Sequence, residues 1–204
     1  YLNLNNIHIF YLTLSAEKAR GVDELIPNFH IICSLEDDFW KEISNKNNHF
    51  LLKNELIVNS YELLKNIEVI NFINNFNSKA YIQTFKINPR MEHLIEENSF
   101  KSLNNNSKIS KYFESKFNLI EISKICDFEI PRSQIVNSNE LKSSSFPIVL
   151  QNNIGHTGDG TFIIENELEL EKFIEKANNI ELKQSEFIDG IPFNINTVVT
   201  KNKI

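Results

Sequence analysis

The chain has 204 residues, of which 41% are apolar, and a formal net charge of −6. This composition excludes a wholly disordered chain, and the length suits one large domain or two small ones. A net negative charge argues against a nucleic-acid binder, which needs a basic face, and no apolar run approaches membrane-spanning length. We therefore predict neither nucleic acid nor a membrane as a partner.

Cys33 and Cys126 are the only cysteines, and their spacing fits neither a disulfide framework nor a metal site. We interpret both as free, buried thiols and place the protein in the reducing cytoplasm. The chain starts with Tyr1 instead of methionine and stops at Ile204 directly after a strand-like run. We expect the natural gene product to be longer.

Residues 1–105 alternate strand-like and helix-like patterns. Strand-forming runs cover residues 6–13, 29–33, 49–52 and 80–85, and helical spacing covers 60–73 and 89–103. Such alternation predicts an α/β domain with a parallel, Rossmann-like sheet. Because no glycine-rich dinucleotide fingerprint follows the first strand, we do not expect the nucleotide site here.

Residues 106–131 are predicted to connect this domain to a second one through a helix. Ile109, Phe113, Phe117 and Ile120 are spaced by four, four and three residues, which predicts one continuous helix from Ser107. The region then ends in extended backbone, since the residue before Pro131 avoids helical angles.

Residues 132–204 are predicted to form a small α+β domain. Strands are expected at 147–151, 161–164, 182–188 and 193–200, with one helix after the second strand. Asn166 followed by Glu169 marks the start of that helix. The sequence contains no convincing acidic metal cluster, and we assign no metal ligand and no catalytic residue.

Four of the five glycines fall in this second region, three of them in the loop of residues 153–160. Glycines let consecutive backbone N–H groups approach an anion, as in phosphate-binding nests. The loop joins two strands and lacks the Gly-Lys-Ser/Thr ending of a P-loop. On these residues alone, a phosphate-binding loop and an ordinary flexible hairpin both remain open.

The order of these motifs resembles the ATP-grasp enzymes. The run FPIVLQ (146–151), the glycine loop, a strand, an amphipathic helix and EFIDG (186–190) resemble the family's small B subdomain. The segment FESKF (113–117), followed by a helix and Glu129-Ile130-Pro131, resembles the segment with the first ATP lysine. The resemblance covers nearly the whole chain and implies a pre-ATP-grasp domain followed by the small ATP-grasp subdomain.

The resemblance also implies an ATP site. Lys116 matches the first ATP lysine, and Gln151 stands where the family usually has a second lysine against the adenine edge and α-phosphate. Gln151 offers a hydrogen bond but no charge, and Pro192 stands where many members have a ribose-binding glutamate. The glycine loop and the adenine-reading hinge complete the implied ATP contacts: Gly155, His156, Thr157, Gly158, Gly160, Ser185, Glu186, Phe187 and Ile188.

The resemblance further implies a ligase that forms an acyl phosphate from a carboxylate for capture by an amine or similar nucleophile. The implied substrates are small-molecule or peptide carboxylates and amines. A homodimer is also compatible with the resemblance. Mg²⁺ ligands are expected beyond Ile204, so this segment alone is expected to be inactive.

Two other functions remain open. The first is a nucleotide- or partner-binding module with decayed catalysis, indicated by Gln151 and Pro192. The second is a Rossmann-like sugar- or nucleotide-binding protein with an unrelated hairpin domain. For single residues, Lys116 also fits a solvated helix lysine, His156 a solvent-facing loop residue, and Phe187 an ordinary core residue.

Overall fold

The computed structural model describes residues 7–46, 48–54, 56–76, 79–143, 145–155, 158–191, 193 and 195. The chain divides into two compact units, unit 1 (Tyr1–Lys111) and unit 2 (Tyr112–Ile204). Most of the strand predicted at 193–200 lies outside the described residues, and so do His156, Thr157 and Pro192.

The helices and strands that the sequence patterns predict occur in the predicted order along the chain. The strands are β1 (Ile7–Leu12), β2 (Phe29–Cys33), β3 (Phe50–Leu51), β4 (Lys79–Thr84), β5 (Lys101–Ser102), β6 (Ser133–Asn137), β7 (Ile148–Gln151), β8 (Thr161–Ile164) and β9 (Glu181–Glu186). The α-helices are α1 (Val22–Leu25), α2 (Asp38–Ile43), α3 (Ser60–Lys65), α4 (Ile67–Asn74), α5 (Pro89–Glu97), α6 (Ser107–Glu114), α7 (Asn118–Ile125) and α8 (Glu167–Lys176).

Unit 1 contains a parallel sheet in the order β3-β2-β1-β4-β5. The central strand β1 pairs with β2 on one side and β4 on the other, so that Ile9 lies opposite both Phe29 and Tyr81. Parallel neighbours need crossover connections, and helices supply them here. This confirms the predicted α/β class with a Rossmann-like parallel sheet.

Both faces of this sheet are buried, which explains why β2 is apolar at nearly every position. Phe10, Leu12 and Ile32 pack on one face in a cluster with side chains of α3, α4 and α5. Phe29 and Ile31 pack on the other face in a second cluster with α2.

Unit 2 contains an antiparallel sheet in the order β6-β9-β7-β8. Its core lies on one face, where Leu150, Ile164 and Leu182 pack with Leu170 of α8. This is the small α+β domain that the sequence predicts. Strand β6, which pairs along its whole length with β9, was not predicted.

Two predicted helices of unit 1 are interrupted. The predicted helix 60–73 is two helices, because Asn66 ends α3 and its side chain accepts a 2.8 Å hydrogen bond from Glu68 N–H at the start of α4. The predicted helix 89–103 ends at Glu97, after which Ser99 has a φ of 58° and the chain enters β5. Ser99 in the left-handed region cannot continue a right-handed helix.

Cys33 is a buried free thiol, as predicted, whereas Cys126 is exposed at the end of α7, so the prediction that both are buried is wrong. Burial raises the pKa of the Cys33 thiol to about 12, which keeps it protonated and unreactive. In the described part of the chain, no helix combines the length and apolarity that a bilayer crossing requires.

Candidate functional site

The segment that carries Lys116 separates α6 from α7, and Asn153 of the glycine loop holds it. The Ser115 hydroxyl donates to Asn153 Oδ1 (2.7 Å), and the Lys116 N–H donates to the Asn153 carbonyl (3.1 Å). The Ser115 hydroxyl also accepts from Asn118 N–H at 3.2 Å, which starts α7. The prediction of one continuous helix from Ser107 is therefore wrong, because residues 115–117 hydrogen-bond to the loop instead of continuing α6.

The Lys116 ammonium lies at the glycine loop. Its Nζ atom is 3.4 Å from the Asn152 carbonyl oxygen and 3.5 Å from the Gly155 carbonyl oxygen. Both distances lie beyond the usual range of a strong hydrogen bond. Among the ion pairs of the described residues, none includes Lys116. The structure thus brings together the lysine and the loop that the sequence singles out, and leaves the ammonium weakly satisfied.

Glycine is required at position 155 of the loop. A Cβ atom there would lie 2.1 Å from the Asp159 carbonyl oxygen and 3.2 Å from Lys116 Nζ. Gly158 and Gly160 both have positive φ, and a Cβ on Gly160 would lie 2.6 Å from the Asn152 side chain. The loop therefore keeps its backbone close to the lysine only while residue 155 carries no side chain.

Beside this loop, one face of the unit 2 sheet carries four polar side chains, Gln151, Thr161, Lys183 and Ser185, and we call it the polar face. The apolar residues Ile135, Val149 and Ile163 lie on the same face. Successive side chains of a strand point to opposite faces, and the neighbours of these residues, such as Leu150 and Leu182, pack toward α8. The register agrees across the sheet, because Gln151 lies opposite both Thr161 on β8 and Lys183 on β9.

Gln151 ends β7 at the base of the glycine loop and is half-buried. Its Nε2 atom is 3.3 Å from the Thr161 hydroxyl, to which it donates a hydrogen bond. The amide thus has one internal partner and retains further hydrogen-bonding capacity.

Lys183 is a buried cation that sequence analysis missed. Its side chain lies in the middle of β9 and the residue is only 5% exposed. Burial lowers the pKa of Lys183, and the nearby Lys116 ammonium lowers it further. The sequence around Lys183 did not mark it, because only the pairing of β9 with β7 shows that it lies beside Gln151.

The four residues predicted to form the hinge differ in their surroundings. Ser185 is buried within β9. The Glu186 carboxylate accepts from the Arg132 backbone N–H (2.8 Å) and from its Nε (2.9 Å), which together lower the pKa of Glu186. Phe187 and Ile188 follow the end of the strand and are 37% and 62% exposed. Glu186 therefore joins β9 to the start of β6, while the next two side chains present apolar surface.

The described residues contain no cluster of three or more His, Cys, Asp or Glu side chains that would hold a metal ion.

No protein-family model matches the chain, and a sequence search of curated proteins gives no significant match. Solved structures do match in fold. A biotin carboxylase from Campylobacter jejuni, solved as a beta-gamma-ATP complex, is 14% identical with a TM-score of 0.65, over 90% of this chain and 45% of that one. An L-amino acid ligase from Bacillus licheniformis is 15% identical with a TM-score of 0.53, over 91% and 44%.

A third match is the biotin carboxylase domain of 2-oxoglutarate carboxylase from Hydrogenobacter thermophilus, in complex with ADP, MgADP and bicarbonate. It is 14% identical with a TM-score of 0.58, over 90% of this chain and 44% of that one. The chain thus spans less than half the length of these structures. At this level of identity the likeness shows the fold alone, which this chain shares with part of these structures and which is an ATP-grasp fold.

Proposed function

We propose that this chain is the ATP-binding part of an ATP-grasp ligase that activates a carboxylate for attack by an amine or similar nucleophile. The observation that carries the proposal is the contact between Lys116 and the glycine loop. That contact places a positive charge and a turn of exposed backbone at one point of unit 2.

The charges around the loop favour an anion. The half-buried Lys116 ammonium has two long contacts to carbonyl oxygens among the described residues, and its charge lowers the pKa of the buried Lys183. Hydrogen bonds from an ammonium to a phosphate oxygen are shorter and stronger than those to a neutral carbonyl. A polyphosphate would therefore satisfy both the cations and the N–H groups of the loop.

The remaining residues fit the nucleoside. The Gln151 amide has capacity for a hydrogen bond to the base or the α-phosphate, and Phe187 and Ile188 present apolar surface beyond the end of β9. With ATP bound, a carboxylate oxygen would take the γ-phosphoryl group and ADP would leave. The nucleophile would then attack the acyl carbon of the resulting acyl phosphate and release inorganic phosphate. The described residues form no cluster of three or more metal-ligating side chains for Mg²⁺.

A second candidate function is a nucleotide-binding module without catalysis. It is favoured by Gln151, which supplies no charge where ATP-grasp enzymes usually have a lysine. Phosphate release from ATP in the presence of a panel of small carboxylates and amines separates the two. A ligase releases phosphate only when both substrates are present, and the decayed module releases none.

ATP titration by calorimetry tests the binding site in the protein at its full natural length. Lys116→Ala removes a charge-assisted contact, typically about 1.5–3 kcal/mol, so ATP affinity should fall roughly ten- to a hundredfold. Lys124→Ala removes an exposed lysine from α7 in the same unit and should leave the affinity unchanged. Equal affinities of the Lys116→Ala variant and the unmodified protein would show that the site is not the one proposed.

A further inference from the structure

Lys183 and Gln151 form a cross-strand pair on the polar face of unit 2. They are direct partners in the antiparallel pairing of β7 with β9. Side chains in such a pair start about 4.5–5.5 Å apart and lie on the same face of the sheet. The lysine therefore projects from a position next to the one at which the resemblance expects a lysine and the sequence has glutamine.

The position of Lys183 is costly without an anionic partner. The residue is 5% exposed, and the ion pairs of the described residues do not include it. The charged group that perturbs it is another cation, Lys116, which lowers its pKa. A buried charge is destabilising unless it is paired, and two like charges raise that cost. An anion that contacts both ammonium groups removes both penalties.

We propose that Lys183 is the second phosphate-binding cation of the ATP site and replaces, from the neighbouring strand, the charge that Gln151 lacks. This inference rests on the proposed ATP function and adds a residue to it. Two cations, Lys116 at the loop and Lys183 on β9, then contact the polyphosphate from different elements, and Gln151 keeps a hydrogen-bonding role.

Lys183 in this role would make the affinity for a ligand depend on how many phosphate groups the ligand carries. Charge contributed by Lys183 acts on phosphate groups and not on the base or ribose. Loss of the Lys183 charge should therefore weaken the binding of ATP more than the binding of ADP, and should leave the binding of adenosine unchanged. A residue with only a packing role would affect all three ligands alike.

The test is a set of variants of the full-length protein in which the positive charge is removed from position 183 or moved to position 151. The affinity of each variant for ATP, ADP and adenosine is measured by calorimetric titration. Lys183→Met removes the charge and keeps the length of the side chain. The double variant Gln151→Lys with Lys183→Met returns one charge to the same face on the adjacent strand. We expect Lys183→Met to lose at least about tenfold in ATP affinity, and the double variant to regain most of it.

Thermal unfolding of the ligand-free variants separates binding from folding. Removing an unpaired buried charge in favour of an apolar side chain of similar size is neutral or stabilising. Lys183→Met should therefore melt at the same temperature as the unmodified protein or higher. If this variant unfolds without a cooperative transition, Lys183→Gln provides the second neutral variant for the same comparison.

The outcomes distinguish this inference from the proposed function. If the unmodified protein binds ATP and Lys116→Ala weakens it, but both Lys183 variants bind ATP normally, the role of Lys183 is wrong and the ATP site stands. A loss in Lys183→Met that is equal for ATP and adenosine, or that Gln151→Lys does not restore, also contradicts the inference. If the unmodified protein binds no ATP, the proposed function itself fails.

Discussion

The sheets of the two units differ in what covers their faces. In unit 1 both faces of the parallel sheet carry apolar clusters, whereas among the described residues of unit 2 the apolar cluster lies on the face toward α8. The other face of the sheet in unit 2 carries Gln151, Thr161, Lys183 and Ser185. A sheet with apolar clusters on both faces can present chemistry only at its strand ends and loops. A sheet with one apolar core can carry polar side chains on its other face, as Lys183 and Ser185 do here, although both are buried.

Both units bury basic side chains, and two of these, His30 and Lys183, have different partners. His30 of unit 1 donates from Nδ1 to the Asn48 carbonyl (2.7 Å) and accepts at Nε2 from His8 Nδ1 (2.7 Å), so both ring nitrogens of the neutral imidazole are satisfied. Lys183 of unit 2 has no ion pair among the described residues and lies near another cation. Burial of a basic group therefore does not by itself mark a binding site, and the case for Lys183 rests on its place beside Gln151 and near Lys116.

The largest expected effect is on stability, in a pair of variants that tests whether the two faces of the unit 2 sheet differ in packing. Leu150 is fully buried against α8, and Leu150→Ala should cost about 2–5 kcal/mol through lost burial and the cavity left behind. Ile163 lies on the opposite face and is 52% exposed, so Ile163→Ala should cost less than about 1 kcal/mol. Native-state hydrogen exchange at the amides of β7 and β9 measures both. Similar losses in the two variants would mean that both faces are packed alike.

A smaller effect concerns the buried histidine of unit 1. Burial lowers the pKa of His30 from 6.5 to about 4, with an opposing contribution from its hydrogen bond to Asn48. Between these values the unfolded chain binds a proton that the folded chain does not, so stability falls as the pH falls from 6.5 toward 4. The loss should be about 2 kcal/mol at pH 5 relative to pH 7.

Urea unfolding followed by the fluorescence of Trp40, the only tryptophan of the chain, reports on this unit. Replacing His30 with glutamine should remove this part of the pH dependence. The matched change His93→Gln alters an exposed histidine of α5 and should retain it. A pH dependence that persists in full without His30 would rule out this histidine as its source.

Much of the fold was predictable because the local signals agree with the tertiary environment. The runs at 29–33 and 161–164 are apolar, rich in β-formers and bounded by turn residues, and both are strands at these bounds. The glycine loop was predictable as a feature because glycines are rare elsewhere in the chain.

The remaining features depend on contacts between distant residues. The break at residues 115–117 depends on Asn153, which lies nearly forty residues along the chain, and β6 exists because it pairs with β9. Lys183 was missed for the same reason, since only the register places it beside Gln151. Periodicity reports what a residue's neighbours along the chain allow, and it carries no information about which strand lies alongside.

The most direct test of the ATP site compares two glycines of unit 2. Gly155→Ala places a methyl group against the Asp159 carbonyl and Lys116 Nζ, whereas a Cβ on Gly190 meets no atom within 4 Å. Calorimetric ATP titration of both variants should show a loss of at least about tenfold for Gly155→Ala, because the loop must move away from the lysine, and no change for Gly190→Ala. Equal ATP affinity in Gly155→Ala and the unmodified protein would contradict the account that the loop and Lys116 together bind the phosphates.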